Sequence, residues 1–187
     1  GFGTALGLLD RAGVVAGQEV LITGASGNVG LAAVQLATRL GARVTGIAAP
    51  TKAATVREEG AAEVIARDAP LPKDRYHAVI DLVGGPGVAA LIDALRSGGH
   101  YAVAGAIAGP MIHADLRRIY LRDITIHGCT YQAPRVFARL MDMVRAGEVR
   151  LRISATYPLR DIVRAQADFQ TKTHTGKLIL LPPETDT

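Results

Sequence analysis

An open, doubly wound parallel sheet with helices on both faces, a three-layer α/β/α architecture, is the fold class this sequence predicts. Three observations carry it. A phrase of short apolar strand, glycine turn and amphipathic helix recurs along the chain, and that phrase is the right-handed parallel crossover unit. Apolar residues fill 49% of the 187 positions while aromatics fill only 4% and Trp is absent. Core volume must then come from Ala, Val, Leu and Ile, as in a sheet buried on both faces. The 21 glycines follow no collagen-like period, so they read as turn and helix-stop residues.

The elements follow in order. Residues 1–18 read as a lead-in helix with Leu6, Leu8, Leu9 and Val14 on its apolar side and Gly13 and Gly17 breaking it. Glu19 to Thr23 is a short buried strand, Gly24 to Gly27 a turn, and Asn28 to Leu40 a helix with Val29, Ala33, Leu36 and Leu40 along one face. Gly41 is its stop. The phrase repeats with a strand over Arg43 to Ala48, a helix from about Lys52 to Glu59 closed by Gly60, and a strand over Glu63 to Ala66. Residues 67–76, with Pro70, Pro72 and several charges, read as an exposed loop. A fourth strand spans Ala78 to Val83 and a helix Val88 to Leu95, closed by Gly98 and Gly99. A fifth strand spans His100 to Ala104 and is followed by a glycine-rich turn. Ile124 to His127 is a sixth strand. Pro134 opens a helix to about Ala146 with Val136, Leu140 and Val144 on one stripe and Phe137 and Met141 beside it; Gly147 ends it. A linker is placed near 147–152, a strand–helix–strand phrase covers 153–181, and the polar tail from Pro182 to Thr187 is expected to fray. Nothing compels a second complete domain.

Composition narrows the function. One cysteine excludes an internal disulfide framework and a Cys-rich zinc module. The net charge of +4 is scattered, with no run of five basic residues, so no nucleic-acid partner is expected. Asp10 and Arg11 follow only a weak apolar stretch, which is no signal peptide. The longest run free of Asp, Glu, Lys and Arg is Val20 to Thr38; it carries Ser26, Asn28, Gln35 and three glycines, so no membrane span is expected. A soluble, cytoplasmic protein fits.

The most informative stretch is Val20-Leu-Ile-Thr-Gly-Ala-Ser-Gly-Asn-Val-Gly30. Against the dinucleotide fingerprint, Ala25, Gly27 and Gly30 take the three small positions. Gly27 lets the backbone approach a pyrophosphate, and Gly30 lets the helix pack on the strand. The helix start at Asn28 and Val29 aims free amides and the positive dipole end at the anion, with Gly24 and Ser26 completing the turn. Ala25 replaces the first glycine and weakens the bare motif; the preceding strand and following helix restore it. An NAD-specific site places an acid at the end of the second strand. Here Ile47, Ala48, Ala49 and Pro50 fill that zone, and no Asp or Glu lies between Glu19 and Glu58. Lys52 and Arg67 supply the cations that a 2′-phosphate needs. NADP(H) is expected over NAD(H).

These pieces, with Gly3-Thr-Ala5, Gly17-Gln-Glu-Val-Leu-Ile22, Gly60-Ala61, Asp81-Leu-Val-Gly84, Gly98-Gly99, Ala104-Gly105, Gly128, Arg145-Ala-Gly147, Tyr157-Pro-Leu159 and Thr175-Gly-Lys-Leu-Ile179, cover nearly the whole chain. In this order and spacing the chain resembles the medium-chain dehydrogenase/reductase superfamily, in its quinone oxidoreductase and zinc-type alcohol dehydrogenase branches. The resemblance implies a Rossmann-like nucleotide-binding domain. It implies that Leu82, Val83 and Gly84 border the adenosine and ribose, that Ala104, Gly105 and Ala106 lie along the nicotinamide ribose, and that Thr130 or Tyr131 lies near the nicotinamide. Lys52 matches the 2′-phosphate lysine of NADP-dependent members; at Arg67 many members carry Tyr. The family's N-terminal catalytic domain has no counterpart here, so the chain reads as an excised domain whose residues from about 152 pack on that absent domain. The resemblance also implies a homodimer paired along the strand near Ile124 to Gly128.

Other candidates weigh less. His127 and Cys129 share a strand face, but two ligands do not make a zinc site, so no metal is expected within the chain. Cys129 reads as a small core residue. His77, His100, His113 and His174 have no paired spacing. Asp81 reads as structural, bonding nearby backbone amides. No Gly-x-Ser-x-Gly elbow, P-loop or His-Glu-x-x-His is present, and no catalytic residue is assigned. The polarising group, whether zinc, tyrosine or backbone amides, is expected from the absent domain. The leading expectation is an NADP-dependent oxidoreductase acting on a carbonyl, quinone, enone or alcohol. A non-catalytic NADP(H)-binding sensor or scaffold is the alternative from another class. An atypical short-chain reductase also fits the turn, but none of the five tyrosines has a Lys four residues on.

Overall fold

The computed structural model describes residues 1–171, 174 and 176–183. Thr175 of the last motif and tail residues 184–187 lie outside that set. Two units are distinguished, Gly1–Val149 and Arg150–Thr187, and they divide within the stretch read as a linker.

In the first unit, helix α1 (Phe2–Arg11) precedes strand β1 (Glu19–Ile22). Leu6, Leu8 and Leu9 are completely buried, and each such side chain contributes about 1.5–3 kcal/mol by leaving water. Helix α2 (Asn28–Arg39) ends before Gly41, whose φ of 82° only glycine adopts without strain. Then come β2 (Arg43–Ile47), a 3-10 turn over Pro50–Lys52, α3 (Ala53–Glu58), β3 (Glu63–Ile65), β4 (Tyr76–Asp81), α4 (Val88–Ala94), β5 (Leu95–Val103), α5 (Arg117–Tyr120), β6 (Thr125–Gly128) and α6 (Pro134–Arg145).

All six strands are parallel, in the order β3-β2-β1-β4-β5-β6. Successive crossovers run outward from β1 to β3, then return to β4 on the other side of β1 and run outward again. The switch point is therefore between β1 and β4, where open α/β sheets bind ligands at the carboxyl ends of the strands. The doubly wound expectation is met on both faces. Val20, Ile22, Val44, Ala78, Ile80 and Ala102 pack under α1, α2, α3 and α6, while Leu21, Val79 and Tyr101 pack under α4. Among the described residues, no helix is long and apolar enough to cross a membrane.

Several expectations change in detail. Tyr76, placed in the exposed loop, opens β4 and is fully buried, with the Arg75 guanidinium 5.0 Å from its ring centre. β4 ends at Asp81 rather than Val83, because the Asp81 carboxylate draws the next amides into a turn. β5 begins at Leu95 and absorbs the irregular Gly98–Gly99 step as a break in register before His100. The one-turn helix α5 was not read from the sequence; Asp115 organises it by accepting from the Arg117 amide at 3.0 Å. On α6 the buried stripe is Val136, Leu140 and Met143, so Val144 and Phe137 face outward. An i, i+4, i+7 stripe meets the packed face more squarely than one drifting to i+8.

The second unit holds β7 (Ile153–Pro158), α7 (Ile162–Gln170) and β8 (Lys177–Leu181). The two strands form a parallel pair of their own, and the Tyr157 hydroxyl donates to Asp168 Oδ2 at 2.8 Å.

Candidate functional site

The first crossover shapes the carboxyl end of the sheet. Gly24 takes φ +57°, so the left-handed turn falls one residue before the first fingerprint position. Ala25 needs only to be small. It is fully buried, its amide donates to the Ile47 carbonyl at 3.1 Å, and a Cβ on Gly46 would stand 2.9 Å from its methyl. The alanine that weakened the motif in sequence therefore costs the turn nothing. Gly30 is required by packing, since a Cβ there would lie 2.1 Å from the Gly24 carbonyl oxygen. Gly27 is exposed and extended at the start of α2, where no side chain caps the helix and no acid occupies the first turn. Nothing polar from α2 itself competes for its first amides, with Asn28 and Val29 at the open end.

The neighbouring strand ends complete the rim. Ala48 and Ala49 follow β2, and the Ala48 amide donates to the Ile65 carbonyl at 3.1 Å. That register brings Lys52, half-buried at the end of the 3-10 turn, and the exposed Arg67 to the same end of the sheet. Beyond β4, Leu82, Val83 and Gly84 form a wall, with Gly84 at φ +64° and Gly85 at +77°. Beyond β5, Ala104, Gly105 and Ala106 run against it: the Ala108 amide donates to the Val83 carbonyl at 2.9 Å, and a Cβ on Gly105 would stand 2.4 Å from the Leu82 carbonyl. Thr130 and Tyr131 are exposed after β6, and the Tyr131 carbonyl accepts from Arg11 at 3.3 Å. Every position singled out for the coenzyme thus lies at or just beyond the carboxyl ends of β1 to β6.

One buried network holds this rim, and sequence showed only one of its members. Asp81 Oδ1 accepts from the Thr23 hydroxyl at 2.5 Å, the Val83 amide at 2.9 Å and the Gly84 amide at 3.1 Å. Thr23 in turn accepts from the Leu82 amide at 2.9 Å, and the Tyr101 hydroxyl donates to Asp81 Oδ2. The structural role expected for Asp81 is its role here. Burial, then the hydrogen bond to Asp81, then the Asp81 charge push the Tyr101 phenol far above its ordinary range. Thr23, Asp81 and Tyr101 tie the ends of β1, β4 and β5 together. Thr23 just past β1 and Asp81 closing β4 were the available signal; Tyr101, inside β5, offered none.

Two further contacts went unread. Gln132 Nε2 donates to Thr4 Oγ1 at 3.2 Å, and a Cβ on Gly1 would stand 2.8 Å from Asn28 Nδ2, so the start of α1 sits beside the same rim. Burial raises the Cys129 thiol, and the nearby Arg11 charge offsets this in part. Among the described residues, no three His, Cys, Asp or Glu side chains converge as a metal site.

Residues 53–180 match a family model described as zinc-binding dehydrogenase. The chain is 31% identical over 177 residues to acryloyl-coenzyme A reductase of Metallosphaera sedula, covering 92% of this chain and 53% of that protein. Among solved structures, it superposes at a TM-score of 0.89 and 38% identity on a protein of Sinorhizobium meliloti 1021 assigned to the alcohol dehydrogenases, covering 97% of this chain and 53% of that one. It superposes at 0.88 and 25% identity on the 2-octenoyl-CoA carboxylase reductase CinF, solved with NADP and 2-octenoyl-CoA, covering 98% of this chain and 48% of that one. The chain thus spans about half the length of these relatives.

Proposed function

The chain belongs to the zinc-binding dehydrogenase family, within the medium-chain dehydrogenase/reductase superfamily, and from that membership we propose that it is the NADP(H)-binding part of an oxidoreductase. The whole protein moves a hydride between nicotinamide and a quinone, enone, carbonyl or alcohol. The observation that carries this reading is the uncapped start of α2, set on a glycine-lined turn at the switch point of the sheet.

The residues present suit the coenzyme. The first amides of α2 receive the pyrophosphate, Lys52 and Arg67 meet the 2′-phosphate, and the Leu82–Gly84 wall borders the adenosine ribose. Ala104, Gly105 and Ala106 flank the nicotinamide ribose, with Thr130 and Tyr131 beyond. When bound, the coenzyme supplies or accepts the hydride. The chain's share is to orient it on a rim stiffened by the Thr23–Asp81–Tyr101 network. We assign no catalytic residue and no zinc ligand within this chain.

Calorimetric titration checks the reading. NADPH is expected to bind at least about tenfold tighter than NADH, a difference of about 1.4 kcal/mol. Lys52→Ala should remove most of that margin while leaving NADH affinity in place. Tighter NADH binding overturns the 2′-phosphate assignment, and failure of both coenzymes overturns the whole reading. Hydride transfer by the full-length protein separates an enzyme from a sensor or scaffold.

We also propose a homodimer. β6 ends the sheet with an open edge, and Ile126 on it is 46% exposed. A second copy pairing there satisfies the free backbone groups.

A further inference from the structure

Two imidazoles meet where β5 and β6 run side by side. His100 Nδ1 lies 3.0 Å from His127 Nε2, and the rings stack with centroids 5.2 Å apart and planes 29° from parallel. Strand alternation puts both rings on the sheet face that carries Ala102 and Cys129, the face covered by α1 and α6. At this separation one ring nitrogen donates and the other accepts. The contact therefore survives with the pair neutral or carrying one added proton. A second proton sets two N–H groups against each other and breaks the contact.

The surroundings oppose that second proton. From α1, the Arg11 guanidinium donates to the Gly128 carbonyl at 3.0 Å and to the Tyr131 carbonyl at 3.3 Å. Asp10, its neighbour on α1, is engaged by Arg139 of α6 at 2.7 Å. Cys129 offers only a thiol held protonated by burial. On β4, His77 is occupied elsewhere, accepting from the Glu19 amide and contacting Arg96. Among the described residues no carboxylate hydrogen-bonds either ring of the pair. Burial first, then His100, then Arg11 hold His127 below the ordinary imidazole range.

Arg11 thus serves two tasks. It clasps the segment from Gly128 to Tyr131 by its carbonyls, and its charge repels a cationic His127 in the strand leading into that segment. We propose that the His100–His127 pair is a proton-operated latch on the Gly128–Tyr131 segment, closed while the pair carries at most one proton and released in acid, so that coenzyme affinity falls with pH. The structural half of this rests on the histidine geometry alone; the functional half rests on the coenzyme reading above. The geometry sets the sign, since only added protons break the contact, and the depressed His127 value agrees with it. The neutral form of His127 contributes stability above the unfolded imidazole value of about 6.5, and that contribution is lost as pH falls through the lower folded value.

Proton and nitrogen NMR of the labelled chain from pH 8 to pH 5 tests the latch without coenzyme. The amide signals of Gly128 to Tyr131 should move with the second of the pair's protonation steps seen in the histidine ring protons, and not with the first. In His127→Gln, and separately in His100→Gln, they should stay still; the two variants guard against one that fails to fold. NADPH affinity should fall about fivefold between pH 7.5 and pH 5.5, at the low end of site-to-site couplings. In a folded variant the fall should be less than about twofold, which corrects for titration of the coenzyme's own phosphate. Amides that do not move, or that move equally in the variants, overturn the latch. Moving amides in a chain that binds NADPH at no pH uphold the latch and remove the coenzyme reading instead.

Discussion

Replacing Tyr101 by Phe deletes one hydroxyl and leaves the ring in place. The hydroxyl donates to Asp81, which is wholly buried, and the tyrosine itself is 3% exposed. A hydrogen bond to a charged group contributes about 1.5–3 kcal/mol. Asp81 keeps its bonds from Thr23, Val83 and Gly84, so the carboxylate is not orphaned and the loss should fall near about 2 kcal/mol. For a domain of this size that is a drop of about 4–8 °C in Tm. The pH dependence gives a second handle. The folded-state value of Tyr101 is raised above the unfolded one, so its stabilising contribution is complete below about pH 10 and declines as pH rises further. The gap between the native chain and Tyr101→Phe should therefore narrow above about pH 10, by up to about 1.4 kcal/mol per pH unit. Urea unfolding followed by circular dichroism at pH 7, 9 and 10.5 measures both effects. A variant as stable as the native chain at pH 7, with no narrowing in alkali, would refute the idea that this network braces the rim.

Other consequences follow from the same geometry. Gly30→Ala forces a methyl to within 2.1 Å of the Gly24 carbonyl unless α2 shifts, so it should cost about 1–3 kcal/mol in urea unfolding and weaken NADPH binding together. Unchanged stability would show that α2 packs less tightly on the turn than described. Ile126→Lys places a charge on the open edge of β6, and light scattering should then report a monomer where the native chain gives a dimer. A monomeric native chain removes the dimer proposal.

The crossover phrase made most of the fold legible, because most strands and helices carry their own periodicity and α1, α2, α3 and α6 are each followed by a glycine of positive φ. The rim was legible for the same reason: once the strands are parallel, their carboxyl ends must lie together. What escaped was long-range or locally disguised. Tyr76 follows Lys73, Asp74 and Arg75, and a charged run reads as loop even though Arg75 folds over the ring it precedes. Val144 and Met143 fit a helical repeat almost equally, and only the packed face of α6 separates them. The Asp81 network joins residues 58 and 20 positions apart in the chain, a distance over which no local pattern operates. The His100–His127 contact arises from the pairing of β5 with β6, which sequence spacing does not display.

Whether a diphosphate sits on the turn from Gly24 to Gly30 is decided by a crystal of the chain grown with saturating NADPH. Density for the pyrophosphate within hydrogen-bond reach of the first amides of α2, with the 2′-phosphate toward Lys52, is the expected result. A coenzyme lodged elsewhere, or an empty turn that no neighbouring molecule blocks, would contradict it.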